Sequence, residues 1–208
     1  MISSQRHLEA ACRRLVPRPQ SGTWFRAVEP QFWQVALQTA QTKTYPSRFN
    51  AAQGASGPFE TLYLAEDSMV ALFEVQALFG DPVTPGGIVP HPRKSLGVLN
   101  VTVSLTYIVD LTEVSAQQEL ETTAQELTGD WVGYRQRGSR TTVKEPIGIA
   151  PTQALGAAFH SVAGLEGFRT ISARLPYNEI LVVFPQKMQP GSLIRFSDPA
   201  TGQTLSLP

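Results

Sequence analysis

A run of β-forming residues constrains this chain more than any other feature. Leu96–Leu105 reads LGVLNVTVSL, and Tyr107–Leu111 continues it as YIVDL. Such residues suit a pleated, half-buried surface, so the run must find partner strands. Thr61–Ala65, Glu179–Phe184 and Leu193–Phe196 are the other strand candidates. Helix signals lie between them. Residues 5–15 are amphipathic, and Pro30 opens a second segment over 30–41 with Phe32, Val35 and Ala36 on one face. Asp67 is suited to cap a helix over 68–79 that Gly80 stops. Ser115 with Gln118 makes a capping box for 116–127, and Pro151-Thr152 starts a helix through 159. The stretch 81–95 holds Pro82, Pro85, Gly86, Gly87, Pro90 and Pro92 and reads as loop. Helices between strands, with late hairpin-like strands, predict one compact α/β or α+β domain.

Composition narrows the function classes. The chain has 208 residues, with 17 Lys+Arg against 17 Asp+Glu. A net-neutral chain lacks the basic footprint of a general nucleic-acid binder. One cysteine, Cys12, excludes an internal disulfide framework and a cysteine-based zinc site. His7, His91 and His160 are scattered without ligand spacing. The longest apolar run, Ile180–Phe184, is far short of the ~20 residues a membrane helix needs. The N-terminal residues carry no secretory signal, so a cytoplasmic protein without a membrane partner is the expectation.

Charge is nevertheless uneven along the chain. Arg6, Arg13, Arg14, Arg18 and Arg26 face only Glu9 within residues 1–26. Glu113, Glu119, Glu121, Glu126 and Asp130 form an acidic stretch, followed by Arg135, Arg137, Arg140 and Lys144. These are either solvated faces or a docking surface and anion pocket.

Motifs for phosphate loops, dinucleotide fingerprints, metalloproteases and serine hydrolases are absent. Individual residues are more informative. Glu74 has Val70, Ala71, Ala77 and Leu78 three and four positions away, which places a carboxylate in an apolar stripe. It either reaches water at the stripe's edge or is aimed into a pocket. Arg48 lies in the turn-rich Tyr45–Asn50, as a surface loop arginine or as a fork for phosphate. Arg26, within Trp24–Val28, is a paired structural cation or a pocket ligand. Tyr63 alternates to the face opposite Leu62 and Leu64, as core packing or as a stacking surface.

The order of these features resembles the RES domain family, named for its Arg, Glu and Ser. Ser47-Arg48-Phe49-Asn50, a Gly-bearing loop, Thr61–Glu66 and Ala71–Val75 look like its first half. Pro151–Ser161 and the strand Asn178–Phe184 resemble its second half. The resemblance covers roughly 23–185, within a RES-like NAD-binding domain at 23–208 that follows a helical extension at 1–22. It implies a fold similar to ADP-ribosyltransferases, a central mixed sheet flanked by helices. Carried over by motif, Arg48, Glu74 and Ser161 are the catalytic set. Arg26, Tyr63 and Asn50, with Arg48, are the NAD-binding residues. This chain differs from the pattern at Phe49, where Trp is commoner, and around Ser161, which lacks a preceding Tyr-Pro and a following arginine.

The resemblance implies a toxin-like enzyme that cleaves the nicotinamide–ribose bond of NAD. The alternatives are transfer of ADP-ribose to a protein target and a non-catalytic RES-like nucleotide-binding or interaction module. NAD is then substrate, with inorganic phosphate as co-substrate in the phosphorolytic form, and no metal or bound cofactor is expected. It also implies an Xre-like antitoxin partner, and self-association is compatible with the sequence.

Overall fold

The computed structural model describes residues 5–52, 57–80, 84–134, 149–198 and 201–208. Pro82 and the basic run Arg135, Arg137, Arg140 and Lys144 lie outside the described residues. The chain starts with α1 (Gln5–Arg14), β1 (Arg18–Val28), β2 (Leu62–Ala65) and α2 (Ser68–Glu74). A short hairpin follows, β3 (Leu78–Gly80) with β4 (Ile88–Pro90), and then β5 (Gly97–Asp110). Next come α3 (Val114–Glu119), α4 (Ala124–Leu127) and α5 (Pro151–Ser161). The chain closes with β6 (Gly167–Ile171), β7 (Glu179–Val183), β8 (Leu193–Ser197) and β9 (Thr204–Leu207). The result is a single compact α/β domain with a mixed sheet and helices.

The two β-forming runs at its centre are one strand, β5. Leu99, Val101, Val103 and Leu105 are buried while Asn100, Thr102 and Ser104 are exposed, the period of two that a half-buried strand requires. Each fully buried Val or Leu in this row stabilises the fold by about 1.5–3 kcal/mol. The alternation slips between Leu105 and Ile108, which share one cluster although three residues apart. The pairing with β1 shifts at the same place, between Arg18 and Gln20. A bulge of this kind frees backbone amides. Glu166, fully buried, accepts from the N–H groups of Thr106 (2.7 Å) and Tyr107 (2.8 Å) through Oε2 and of Gln189 (2.9 Å) through Oε1. Three hydrogen bonds from backbone amides offset the cost of taking this side chain out of water.

The length of β5 lets it serve several neighbours. One edge runs antiparallel to β1. The other is divided between β8, paired at Val101–Ser104, and β6, paired in parallel at Ile108–Asp110. β6, β7 and β2 continue antiparallel, and Ala65 of β2 pairs with Phe25 of β1. The strands β1, β2, β7, β6 and β5 thus form a closed circuit, and β8–β9 extends from its side. In β7, Ile180 and Val182 join the cluster covered by α1 and α5, whereas Leu181 and Val183 join the cluster on the opposite face.

Several expected elements differ. Residues 30–41 form two short 3₁₀ turns, Pro30–Val35 and Ala40–Lys43, with Phe32 and Val35 exposed rather than packed. The expected helix 116–127 breaks at Glu121, which adopts a left-handed φ of 53°, and Thr123 caps α4 through a bond from the N–H of Glu126. The expected helix 68–79 ends at Glu74. Gln76 takes φ 56° and the Ala77 N–H bonds Leu72 O (2.9 Å), a left-handed stop made by glutamine before Gly80 is reached. The expected boundary at 22/23 falls inside β1, and α1 buries Ala11 and Cys12 in the main core. Among the described residues no helix is long and apolar enough to cross a membrane.

Candidate active site

On the face of the sheet that carries Tyr63 and Ile180, a cavity of about 440 Å³ opens. Arg26, Arg48, Tyr63, Glu74, Trp131 and Arg174 are among its lining residues. β1, the 47–50 loop, β2, α2 and the loop after β6 each contribute to it.

Glu74 comes from the last turn of α2. Asp67 caps the other end of that helix by accepting from the Val70 N–H (2.8 Å), as the sequence predicts. The early stop at Gln76 puts Glu74 at the helix end and against the cavity, not at the middle of an apolar stripe. Its carboxylate is held from three directions. Oε1 accepts from Ser172 Oγ (2.6 Å) and the Ala173 N–H (3.1 Å), and Oε2 accepts from Arg48 Nη2 (3.0 Å). The Arg48 guanidinium is buried, and its Nη1 donates to Ile171 O at 3.4 Å. Desolvated charge-assisted bonds of this sort fix a side chain in one position.

The loop carrying Arg48 is itself clamped. Ser47 and Asn50 pair through backbone bonds, and the Tyr63 hydroxyl accepts from the Phe49 N–H (3.1 Å) and shares a hydrogen bond with Ser47 Oγ (2.8 Å). Burial raises the Tyr63 phenol above its ordinary pKa, which keeps it neutral in this role. The Asn50 amide donates to Thr42 O (2.9 Å) and Phe59 O (2.7 Å), and its Oδ1 accepts from the Ala52 N–H (2.8 Å). Asn50 is buried, lines no part of the cavity, and has its polar atoms engaged by the loop. The structure thus places Asn50, expected to bind substrate, off the cavity wall as a clamp of the loop.

Arg26 projects from β1 and donates through Nη1 to Tyr63 O (3.2 Å). Its Nε is buried without a partner among the described residues. Burial lowers its pKa to about 10, still high enough to keep it charged at neutral pH. It borders the cavity, as does Arg174, whose guanidinium is exposed and has no partner among the described residues.

Ser161 is not with these groups. It ends α5, its Oγ donates to Ala158 O (2.7 Å), and it is absent from the cavity wall. Lys187 bonds the carbonyls on either side of it, those of His160 and Val162. The serine that meets Glu74 is Ser172, which follows β6. The sequence holds a signal for it: Ser172-Ala173-Arg174 supplies the following arginine that Ser161 lacks. Trp131, in a helical turn at 131–134, had no comparable signal.

A fixed carboxylate, adjacent cations and aromatic walls share one cavity. Such a site can hold an anionic, ring-bearing ligand and stabilise positive charge that develops beside Glu74. The fold has a solved counterpart in the M. tuberculosis MbcT–MbcA toxin–antitoxin complex. The two share 18% identity with a TM-score of 0.60, over 100% of this chain and 94% of that one. No curated protein matches the sequence. The model of the RES domain matches residues 23–205, from the middle of β1 into β9, and so takes in every side chain that surrounds Glu74. On that match the chain belongs to the RES domain family.

Proposed function

We propose that this chain degrades NAD by breaking the bond between nicotinamide and ribose. The observation that carries the reading is the Glu74 carboxylate, fixed by Ser172, Ala173 and Arg48 at the wall of a cavity lined by Arg26, Tyr63, Trp131 and Arg174. Nicotinamide leaves with the bonding electron pair, and its ring nitrogen becomes neutral. The ribose carbon left behind takes on oxocarbenium character. A carboxylate already in place stabilises that charge without reorganising as the bond breaks. Water or phosphate then bonds to the same carbon. Water gives ADP-ribose and a released proton; phosphate gives the 1″-phosphorylated sugar. The likeness to a toxin bound to its antitoxin supports reading the chain as a toxin restrained by a protein partner.

Roles within the set follow from their bonds. Arg48 is engaged by Glu74 and acts by positioning it. Arg26 and Arg174 meet the pyrophosphate, and Tyr63 with Trp131 walls the nicotinamide. Purified protein is expected to deplete NAD, with and without phosphate present. Glu74→Gln is expected to lower that rate by on the order of 10²–10³. Full turnover by the Gln variant sinks the assignment of Glu74. Labelled NAD appearing on a protein band would point to transfer instead of degradation. No loss of NAD at high protein concentration would leave a binding module.

A further inference from the structure

Gln76 is an odd residue to end a helix. α2 stops there in a left-handed turn with φ 56°, a conformation that glycine takes freely and that a side chain strains. Four described non-glycine residues have a left-handed φ, and of these Gln76 is the one that lines the Glu74 cavity. The backbone pins it on both sides. Its own N–H donates to Phe73 O (2.9 Å), the Ala77 N–H donates to Leu72 O (2.9 Å), and Ala77 O accepts from the His91 N–H (2.7 Å) just after β4. The side chain is exposed, and its carboxamide has no hydrogen-bond partner among the described residues. Glycine would end the helix with less strain, so the fold alone does not account for a glutamine here. A free carboxamide is thus held two residues from Glu74, on the wall of the same cavity.

We propose that Gln76 places the attacking water beside Glu74, so that NAD is cleaved by hydrolysis rather than phosphorolysis. The inference rests on the NAD reading of the cavity. A carboxamide offers an acceptor oxygen and two donor hydrogens, which match a neutral water. Its oxygen accepts one O–H of the water and leaves a lone pair to face the ribose carbon. Nicotinamide keeps the electron pair as the carbon–nitrogen bond breaks. The water oxygen bonds to the same carbon, and its surplus proton passes to solvent. Phosphate would instead need charge-assisted donors. In this reading the arginines of the wall are engaged already: Arg48 holds Glu74, and Arg26 with Arg174 meets the pyrophosphate. The Glu74 carboxylate also repels an incoming dianion and does not repel water.

The experiment runs NAD cleavage in phosphate buffer made with heavy-oxygen water. Wild type is expected to give ADP-ribose carrying the heavy oxygen as its main product, not the 1″-phosphorylated sugar. Gln76→Gly separates a helix stop from a water-placing residue, because glycine keeps the turn. Its Tm is expected to hold or rise, while kcat falls about 10–100-fold with KM for NAD near wild type. Gln76→Asn keeps a carboxamide on a residue that tolerates the left-handed turn, and is expected to recover part of that loss. Phosphorylated sugar as the main wild-type product, full kcat in Gln76→Gly, or a kcat that falls only together with Tm overturns this inference alone. Wild type that leaves NAD intact overturns the NAD reading itself.

Discussion

Ser172 has no free hydrogen-bonding capacity. Its hydroxyl donates to Glu74 Oε1 and accepts from the backbone N–H groups of Arg174 (3.2 Å) and Leu175 (3.0 Å). One proton and two lone pairs are all a hydroxyl offers. The turn after β6 therefore aims the proton at Glu74, and Ser172 acts as a positioning residue rather than a nucleophile. Ser172→Ala is expected to lower kcat for NAD about 10–100-fold with a smaller change in KM, since one of three holds on the carboxylate is lost while the binding walls remain. Ser161→Ala removes only a bond to Ala158 O and should leave turnover near wild type. If Ser161→Ala and Ser172→Ala damage kcat equally, the serine assignment made from geometry is wrong. Arg48 and Glu74 were legible because each is odd in its local setting, a fork in a turn and an acid among apolar neighbours. Ser172 carried only the signal of the arginine two places on, because a serine after a short strand is otherwise ordinary until its partner is known. A polar residue beside Arg48 reads as ligand-facing, yet loops also need buried amides to satisfy their carbonyls, as Asn50 does for Thr42 and Phe59.

Elements position the site through backbone contacts that sequence patterns do not report. α5 packs directly on the loop that carries Arg48. A Cβ at Gly156 would stand 1.9 Å from Phe49 O and 2.8 Å from its carbonyl carbon. From the same helix, the Gln153 amide donates to Ser47 O (2.9 Å). Neither atom of the clash is a flexible side-chain end, so Gly156→Ala must displace the helix or the loop. Overpacking of this kind costs about 1–3 kcal/mol. At ~2–4 °C per kcal/mol for a domain of this size, thermal unfolding should shift down by several degrees. NAD turnover measured well below the transition should fall as well, because Arg48 moves with the loop. A variant with a lowered Tm and full turnover would show that the helix gives way and the loop does not. The start of α5 was legible from Pro151 and Thr152, and α2 from Asp67. The end of α2 was not, because the left-handed stop is taken by Gln76 and not by a glycine. β1 was missed over most of its length. Its first half, Arg18–Thr23, is polar and includes Pro19 and Gly22; its place comes from backbone pairing with β5, not from burying its own side chains.

The whole molecule depends on closure of the strand circuit, which no single segment encodes. The alternation of β5 announced a sheet, but the division of its far edge between β8 and β6 follows from the bulge at Thr106-Tyr107 and the buried Glu166 beneath it. Zero net charge likewise hides buried groups whose titration is coupled to global unfolding. His160 is the clearest. Its ring stacks on Phe59 with centroids 4.3 Å apart and meets the edge of Phe184 at 5.2 Å. Burial, aided by the Lys187 charge, lowers its pKa from 6.5 to about 4. The folded protein thus holds the ring neutral in a range where the unfolded chain takes up a proton. Stability from this group is complete above pH 6.5, declines as pH falls through the window, and is gone below about 4. Glu60 and Asp110, both with lowered pKa values, lose their contributions further into acid, so the histidine dominates the upper part of the window. His160→Phe keeps an aromatic ring against Phe59 and removes the titration. Urea unfolding at pH 7 and pH 5 should show wild type losing more stability between the two than the Phe variant. Equal losses would mean that the ring reaches water freely in the folded state and that the aromatic packing around α5 does not exclude it.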